Sequence, residues 1–129
     1  ILVYIGGYAL LAGGLSWLAL RAAARVAGAA RFDWKTPALG LVPIAGAGLL
    51  VGLSMTTATQ LRAGGWLPAG VDLLRALLLG GAVLWSVWLG LRIVARSPAA
   101  FARRAAASVL YLVPVAVFGG TWYLMYFVW

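Results

Sequence analysis

Cysteine, histidine and glutamate are absent from this chain, and its only acidic residues are Asp33 and Asp72. Without cysteine there is no disulfide, thiolate metal site or dithiol redox pair. Without histidine the commonest general base is missing. The common routes to catalysis need a nucleophile with its base, paired carboxylates or a metal site. This composition assembles none of them, so the chain by itself is expected to be no enzyme and to hold no metal. Haem ligation through His or Cys is excluded, and Met55 and Met125 are ordinary apolar-run residues that make weak axial ligands. A cofactor bound covalently or through His or Cys is therefore not expected. A quinone, carotenoid or lipid, held by apolar contact, stays open.

Charge is scarce as well. Soluble domains carry about a quarter charged residues, whereas 9% of this chain is charged and 65% is hydrophobic. A helix crosses the hydrocarbon core with about 20 mostly apolar residues, and four such runs are present: Ile1 to Leu20, Ala38 to Ala58, Leu73 to Leu91 and Ala105 to Val128. None has a charge in its central part. Arg75 and Arg92 stand at the edges of the third, placed to snorkel toward headgroups. A transmembrane β-barrel would show segments of about ten residues alternating apolar and polar, and these runs are continuously apolar. The expected fold is an all-α integral membrane protein with four transmembrane helices in one membrane domain, residues 1–129. The first run is too long and uninterrupted for a cleaved signal peptide, so it is expected to be a retained span.

The chain also repeats itself at an offset of 71 residues. Trp17-Leu18-Ala19-Leu20-Arg21 with Ala24-Arg25 returns as Trp88-Leu89-Gly90-Leu91-Arg92 with Ala95-Arg96, and Leu41-Val42-Pro43-Ile44-Ala45 returns as Leu112-Val113-Pro114-Val115-Ala116. Identities fill about a third of the positions from Trp17 to Ser54, against roughly one in eight expected from composition alone. Each copy is a two-helix hairpin, about 1–58 and about 72–129. Because a hairpin has an even number of spans, the copies enter the membrane in the same orientation. The expected relation is a parallel repeat about an axis along the membrane normal, unlike the inverted repeats of many transporters.

The net charge of +8 is unevenly placed. The first connection, 21–37, holds Arg21, Arg25, Arg31 and Lys35; the third, 92–104, holds Arg92, Arg96, Arg103 and Arg104. The second, 59–72, holds Arg62, with Arg75 just inside the next helix beside Asp72. The positive-inside rule puts the first and third connections in the cytoplasm and both termini outside, and the expected location is an inner membrane of the bacterial type. Arg21, Arg25, Arg92, Arg96, Arg103 and Arg104 would set topology and meet anionic headgroups. The first connection, with arginines at helical spacing and Phe32 and Trp34, fits a short amphipathic surface helix. Nucleic-acid binding is rejected because the charge is split between two short membrane-proximal connections.

Within the spans, Pro43 and Pro114 are expected to kink the second and fourth helices. Their freed carbonyls would line a cavity or, the favoured reading, the kinks merely set hairpin geometry. Gly46, Gly48, Gly52, Gly119 and Gly120 are expected helix-packing positions, since in lipid close approach through small residues is the main packing device. Gly6, Gly7, Gly13, Gly14, Gly80, Gly81 and Gly90 add small positions in the other two spans. Ser54, Thr56, Thr57, Thr59 and Gln60 form the one polar cluster near a membrane boundary, where hydroxyls either line a path or, as favoured, bond back to their own helix. Asp72 suits a helix N-cap. The seven tryptophans fall mostly near span ends, as interfacial anchors do; Trp85, Trp88, Tyr111 and Trp122 lie deeper and form a candidate aromatic contact face.

Together these features lead to the expectation of a non-catalytic integral membrane subunit. It would pack within a larger membrane complex, of which a respiratory or photosynthetic assembly is one instance, and contact lipid. The alternative is a small oligomeric transporter or channel for a neutral or lipid-like solute.

Overall fold

A computed structural model describes residues 2–27, 35–66 and 70–128, with the side chains of 2, 4, 5 and 128 left out. Arg31, Phe32, Asp33 and Trp34, and with them the middle of the expected surface helix, lie outside the described residues, as does Trp129. The described chain is helical throughout: α1 (Leu2–Val26), a single-turn α2 (Lys35–Ala38), α3 (Val42–Ala63), α4 (Gly70–Ala95) and α5 (Phe101–Tyr123). A 3-10 turn over Leu39–Leu41 precedes α3, and a π-helical turn over Leu124–Val128 follows α5. Four of these stretches are long and apolar enough to cross a membrane: Gly6–Val26, Lys35–Ala63, Gly70–Ala95 and Phe101–Phe127.

The helices run beyond the apolar runs that seed them. Ala22, Ala23 and Ala24 extend α1 past Leu20, and Ala102, Arg103 and Arg104 carry α5 back from Ala105 to Phe101, alanine and arginine being strong helix formers. Residues 35–63 do not form one unbroken α-helix. Pro43 has no N–H to bond to the Leu39 carbonyl, and the chain tightens into the 3-10 turn just before it, with the Val42 N–H bonded to Leu39 O. By contrast α5 stays helical through Pro114. At its far end α3 stops in a Schellman motif: Trp66 N–H donates to Leu61 O at 2.9 Å and Gly65 N–H to Arg62 O at 3.1 Å. The motif needs a left-handed residue at Gly65, whose φ is +72°.

Packing orders the helices α1, α5, α4, α3, with α1 laid along α5, α5 along α4, and α4 along α3. Buried positions recur at helical spacing on each inner face: Ala19, Ala23 and Ala27; Ile44, Ala47 and Val51; Leu79, Ala82, Ser86, Gly90 and Val94; Ala107, Tyr111 and Val115. Ala23, Ala27, Val94 and Ala107 close the end that carries Arg21, Arg25, Arg92 and Arg96. Ala47, Leu79 and Ala82, with Trp122 and Phe127 against them, lie toward the other. About half of these buried positions are alanine or glycine, so the backbones come close there and dispersion and shape, not bulk, hold them.

Candidate functional site

Midway along the helices is a polar node. Ile44 lies in the first turn of α3, where N–H groups have no intrahelical acceptor. Its N–H donates to Ser86 Oγ of α4 at 3.1 Å, so a side chain from the neighbouring helix caps the break before Pro43. The Tyr111 hydroxyl of α5 donates to Ser86 O at 2.9 Å. Tyr111 and Ser86 are fully buried. Two glycines make room for the ring: a Cβ on Gly90 would overlap its edge, and one on Gly40 would overlap its hydroxyl. The pattern of apolar runs gives Ser86 no prominence. The signal for it was a lone hydroxyl in the middle of a span, four residues before Gly90.

The expected packing glycines divide into two groups. Gly48 and Gly52, one turn apart on α3, take the side chains of Trp122 and Tyr126, one turn apart on α5 and its π-helical extension. Those rings stack at 5.5 Å with 6° between planes, and the Tyr126 hydroxyl donates to Gly48 O at 3.3 Å. The GxxxG pair therefore receives an aromatic ladder of the same chain. A Cβ at Gly119 would lie 3.3 Å from Val83 of α4 and 3.5 Å from Ile44 of α3. A Cβ at Gly46 or Gly120 would meet nothing within 4 Å, and the same holds for Gly6, Gly7, Gly13, Gly14, Gly80 and Gly81.

The candidate aromatic face is not one surface. Tyr111 and Trp122 turn inward, while Trp85 and Trp88 are more than half exposed, because on α4 the inward stripe is occupied by Leu79, Ala82, Ser86 and Gly90. Trp88 and Trp17 instead sit beneath basic groups. The Arg92 guanidinium lies 5.0 Å from the Trp88 ring and that of Arg21 4.9 Å from Trp17, each one helical turn on. Arg25, Arg96 and Arg103 are exposed at the same end, and Arg104 is half-buried there. In the hydroxyl cluster Ser54 donates to Val51 O and Thr59 to Met55 O, both on their own helix, and Thr56 and Thr57 are exposed.

Two of the surfaces left open to the surroundings are rich in glycine. A shallow groove of about 900 Å³ runs between α4 and α5 over Gly80, Gly81, Gly119 and Gly120. The first half of α1 is barer still. From Gly6 to Leu15 every residue except Ala12 is exposed, and a 2.6 Å hydrogen bond between the Tyr8 hydroxyl and Thr121 Oγ1 ties this half to α5. Gly13 stands two turns below Gly6 on one face, and Gly14 two turns below Gly7.

These features define the class: an all-helical chain with four helices long and apolar enough to cross a membrane, and glycine-lined faces that its own helices leave uncovered. Comparison with known protein families, curated proteins and solved structures finds no match.

Proposed function

We propose that the chain is a non-catalytic integral membrane subunit that docks, through the first half of α1, against another membrane-embedded protein. The uncovered glycines of that half carry the reading. Glycine inside a helix costs about 0.5–1 kcal/mol relative to alanine, so Gly6, Gly7, Gly13 and Gly14 together weaken α1 by roughly 2–4 kcal/mol. Against lipid nothing offsets that weakness, since tails pack on alanine as well as on glycine. Against another helix, close backbone approach does offset it.

The same proposal places the Arg21, Arg25, Arg92 and Arg96 end in the cytoplasm of a bacterial-type inner membrane, with lipid headgroups around those arginines. It also takes the chain as a duplicated hairpin. In support, the α1–α5 and α4–α3 contacts correspond under the 71-residue offset, and so do the two tryptophan–arginine pairs; the α4–α5 packing has no such counterpart, since α1 scarcely meets α3.

The test is gentle extraction of the tagged chain from its native membrane, with mass spectrometry and an absorption spectrum of what accompanies it. Stoichiometric membrane subunits that disappear in Gly13→Leu, while helicity is kept, support the reading. A colourless chain extracted alone or only with itself overturns it and favours the small transporter.

A further inference from the structure

We propose that the cavity between the C-terminal turn of α3 and the first two turns of α4 binds a phosphate oxyanion, either the headgroup of an anionic phospholipid or free phosphate. It is a second anion site, at the end of the molecule opposite Arg21, Arg25, Arg92 and Arg96.

Arg62 ends α3, Asp72 begins α4 and Arg75 follows one turn later, and the three side chains meet beside a cavity of about 250 Å³. Arg62 Nη2 lies 2.5 Å from Asp72 Oδ2, and both side chains are half exposed or more. Arg75 is different. The edge-of-span position suggests a side chain that snorkels outward, yet its side chain is only 11% exposed and turns into the cavity under Tyr126 and Phe127. Its two hydrogen bonds are long, 3.4 Å to Asp72 Oδ1 and 3.4 Å to Val51 O. Its buried Nε has no partner among the described residues. A guanidinium offers five donors in a rigid fork, and here it is under-used.

Charge and dipole point the same way. Two guanidiniums share one carboxylate, which leaves one positive charge in excess, and a buried charge is costly unless it is paired. The cavity also borders the first turn of α4 at Asp72, the positive end of the helix dipole, where an anion is favoured. A tetrahedral oxyanion in the cavity would neutralise the excess, take the unused donors of Arg75 and Arg62 in the bidentate manner that phosphate allows, and face the dipole correctly. The Thr59 hydroxyl, also on the cavity wall, already donates to Met55 O and keeps lone pairs but no free proton. The arginines alone therefore hold the anion. A cavity of this volume has room for a phosphate group.

The experiment uses the full chain in two probes. Nanodiscs of phosphatidylcholine with a minor share of phosphatidylglycerol are stripped with detergent, and retained lipid is counted by mass spectrometry. In parallel, inorganic phosphate is titrated onto the delipidated chain and thermal unfolding is followed. Retained phosphatidylglycerol, one per chain, that falls at least tenfold in Arg75→Gln but not in Arg21→Gln establishes a lipid headgroup. Stabilisation by millimolar phosphate that is lost in Arg75→Gln, without lipid retention, establishes free phosphate as the occupant. Equal lipid retention and equal phosphate response in wild type and Arg75→Gln overturn the proposal. Should Arg75→Gln fail to fold, the exposed Arg62→Gln serves, and an unchanged affinity for both probes overturns it equally.

Discussion

Replacing Gly90 by alanine is the most incisive perturbation, because two physical effects give it opposite signs. Helix propensity favours alanine by about 0.5–1 kcal/mol. Packing opposes it: the new methyl would lie inside the Tyr111 ring edge. The ring has nowhere to go, since its hydroxyl is bonded to Ser86 O and abuts Gly40 on the far side. Overpacking of this kind costs about 1–3 kcal/mol, and a hydrogen bond lost between membrane helices adds roughly 0.6 kcal/mol on average. The balance is a destabilisation of about 1–3 kcal/mol. Reversible unfolding in mixed micelles, followed by tryptophan fluorescence, measures it. Gly80→Ala, on the same helix in open space, supplies the control and should be neutral or stabilising. The double change Gly90→Ala with Tyr111→Leu should recover most of the loss, a non-additivity expected of groups in contact. A Gly90→Ala protein as stable as wild type would refute the account of the node.

Ser86→Ala leaves the Ile44 N–H buried without its acceptor and should cost about 1–3 kcal/mol by the same unfolding measurement. Gly48→Leu should displace Trp122 and break its stacking on Tyr126, visible as a red-shifted, less protected tryptophan emission; an unchanged spectrum would mean that the ladder is misplaced. Because the chain has no cysteine, single cysteines label cleanly. Ala99→Cys and Gln60→Cys should react with a membrane-impermeant thiol reagent from opposite faces of the membrane, Ala99→Cys only after the cytoplasmic face is opened.

Long-range order in this chain was legible where period and length carry it. The uninterrupted apolar runs specify helices long enough to cross a bilayer, since lipid leaves every backbone group to be satisfied within its own segment. The glycine pair 48 and 52 was also visible as a close-approach surface. Its occupant was not, because helix spacing fixes which residues share a face but says nothing of what meets that face, and the π-helical turn that brings Tyr126 over Gly52 has no simple sequence mark. Arg75 was misjudged for a related reason. A position near a span edge permits snorkelling, but whether the side chain goes out or in depends on where Asp72, Val51 O and Tyr126 end up in space. Ser86 lay hidden because one hydroxyl barely alters the hydropathy of a span, although in lipid it decides whether the break before Pro43 is tolerated.

The contact between Gly40 and Tyr111 bears on the proposed duplication more directly than any count of identities. These two residues are 71 positions apart, so under the proposed duplication each would be the other's equivalent in the two hairpins. If they are equivalent, two such residues that touch would lie close to a local axis relating the copies, as a residue on a twofold meets itself, although α1 and α3 do not pack as α4 and α5 do. At such a point identical residues are a poor solution: two tyrosines would collide and two glycines would leave a void, and cavities and overpacking both destabilise. One tyrosine filling the space of one glycine is the asymmetric solution, and it is what stands there. The hydroxyl it brings donates to Ser86 O, on the helix that also caps α3. A fused hairpin can diverge in this way while two separate copies of one hairpin cannot. Tyr111→Gly should therefore open a cavity and weaken the whole bundle by about 3–5 kcal/mol, the cost of losing a buried aromatic ring. Gly40→Tyr in that background should restore part of it if the axis passes where the contact places it. No recovery of stability in the swapped protein would argue that positions 40 and 111 are not equivalent and that the repeat is a coincidence of composition.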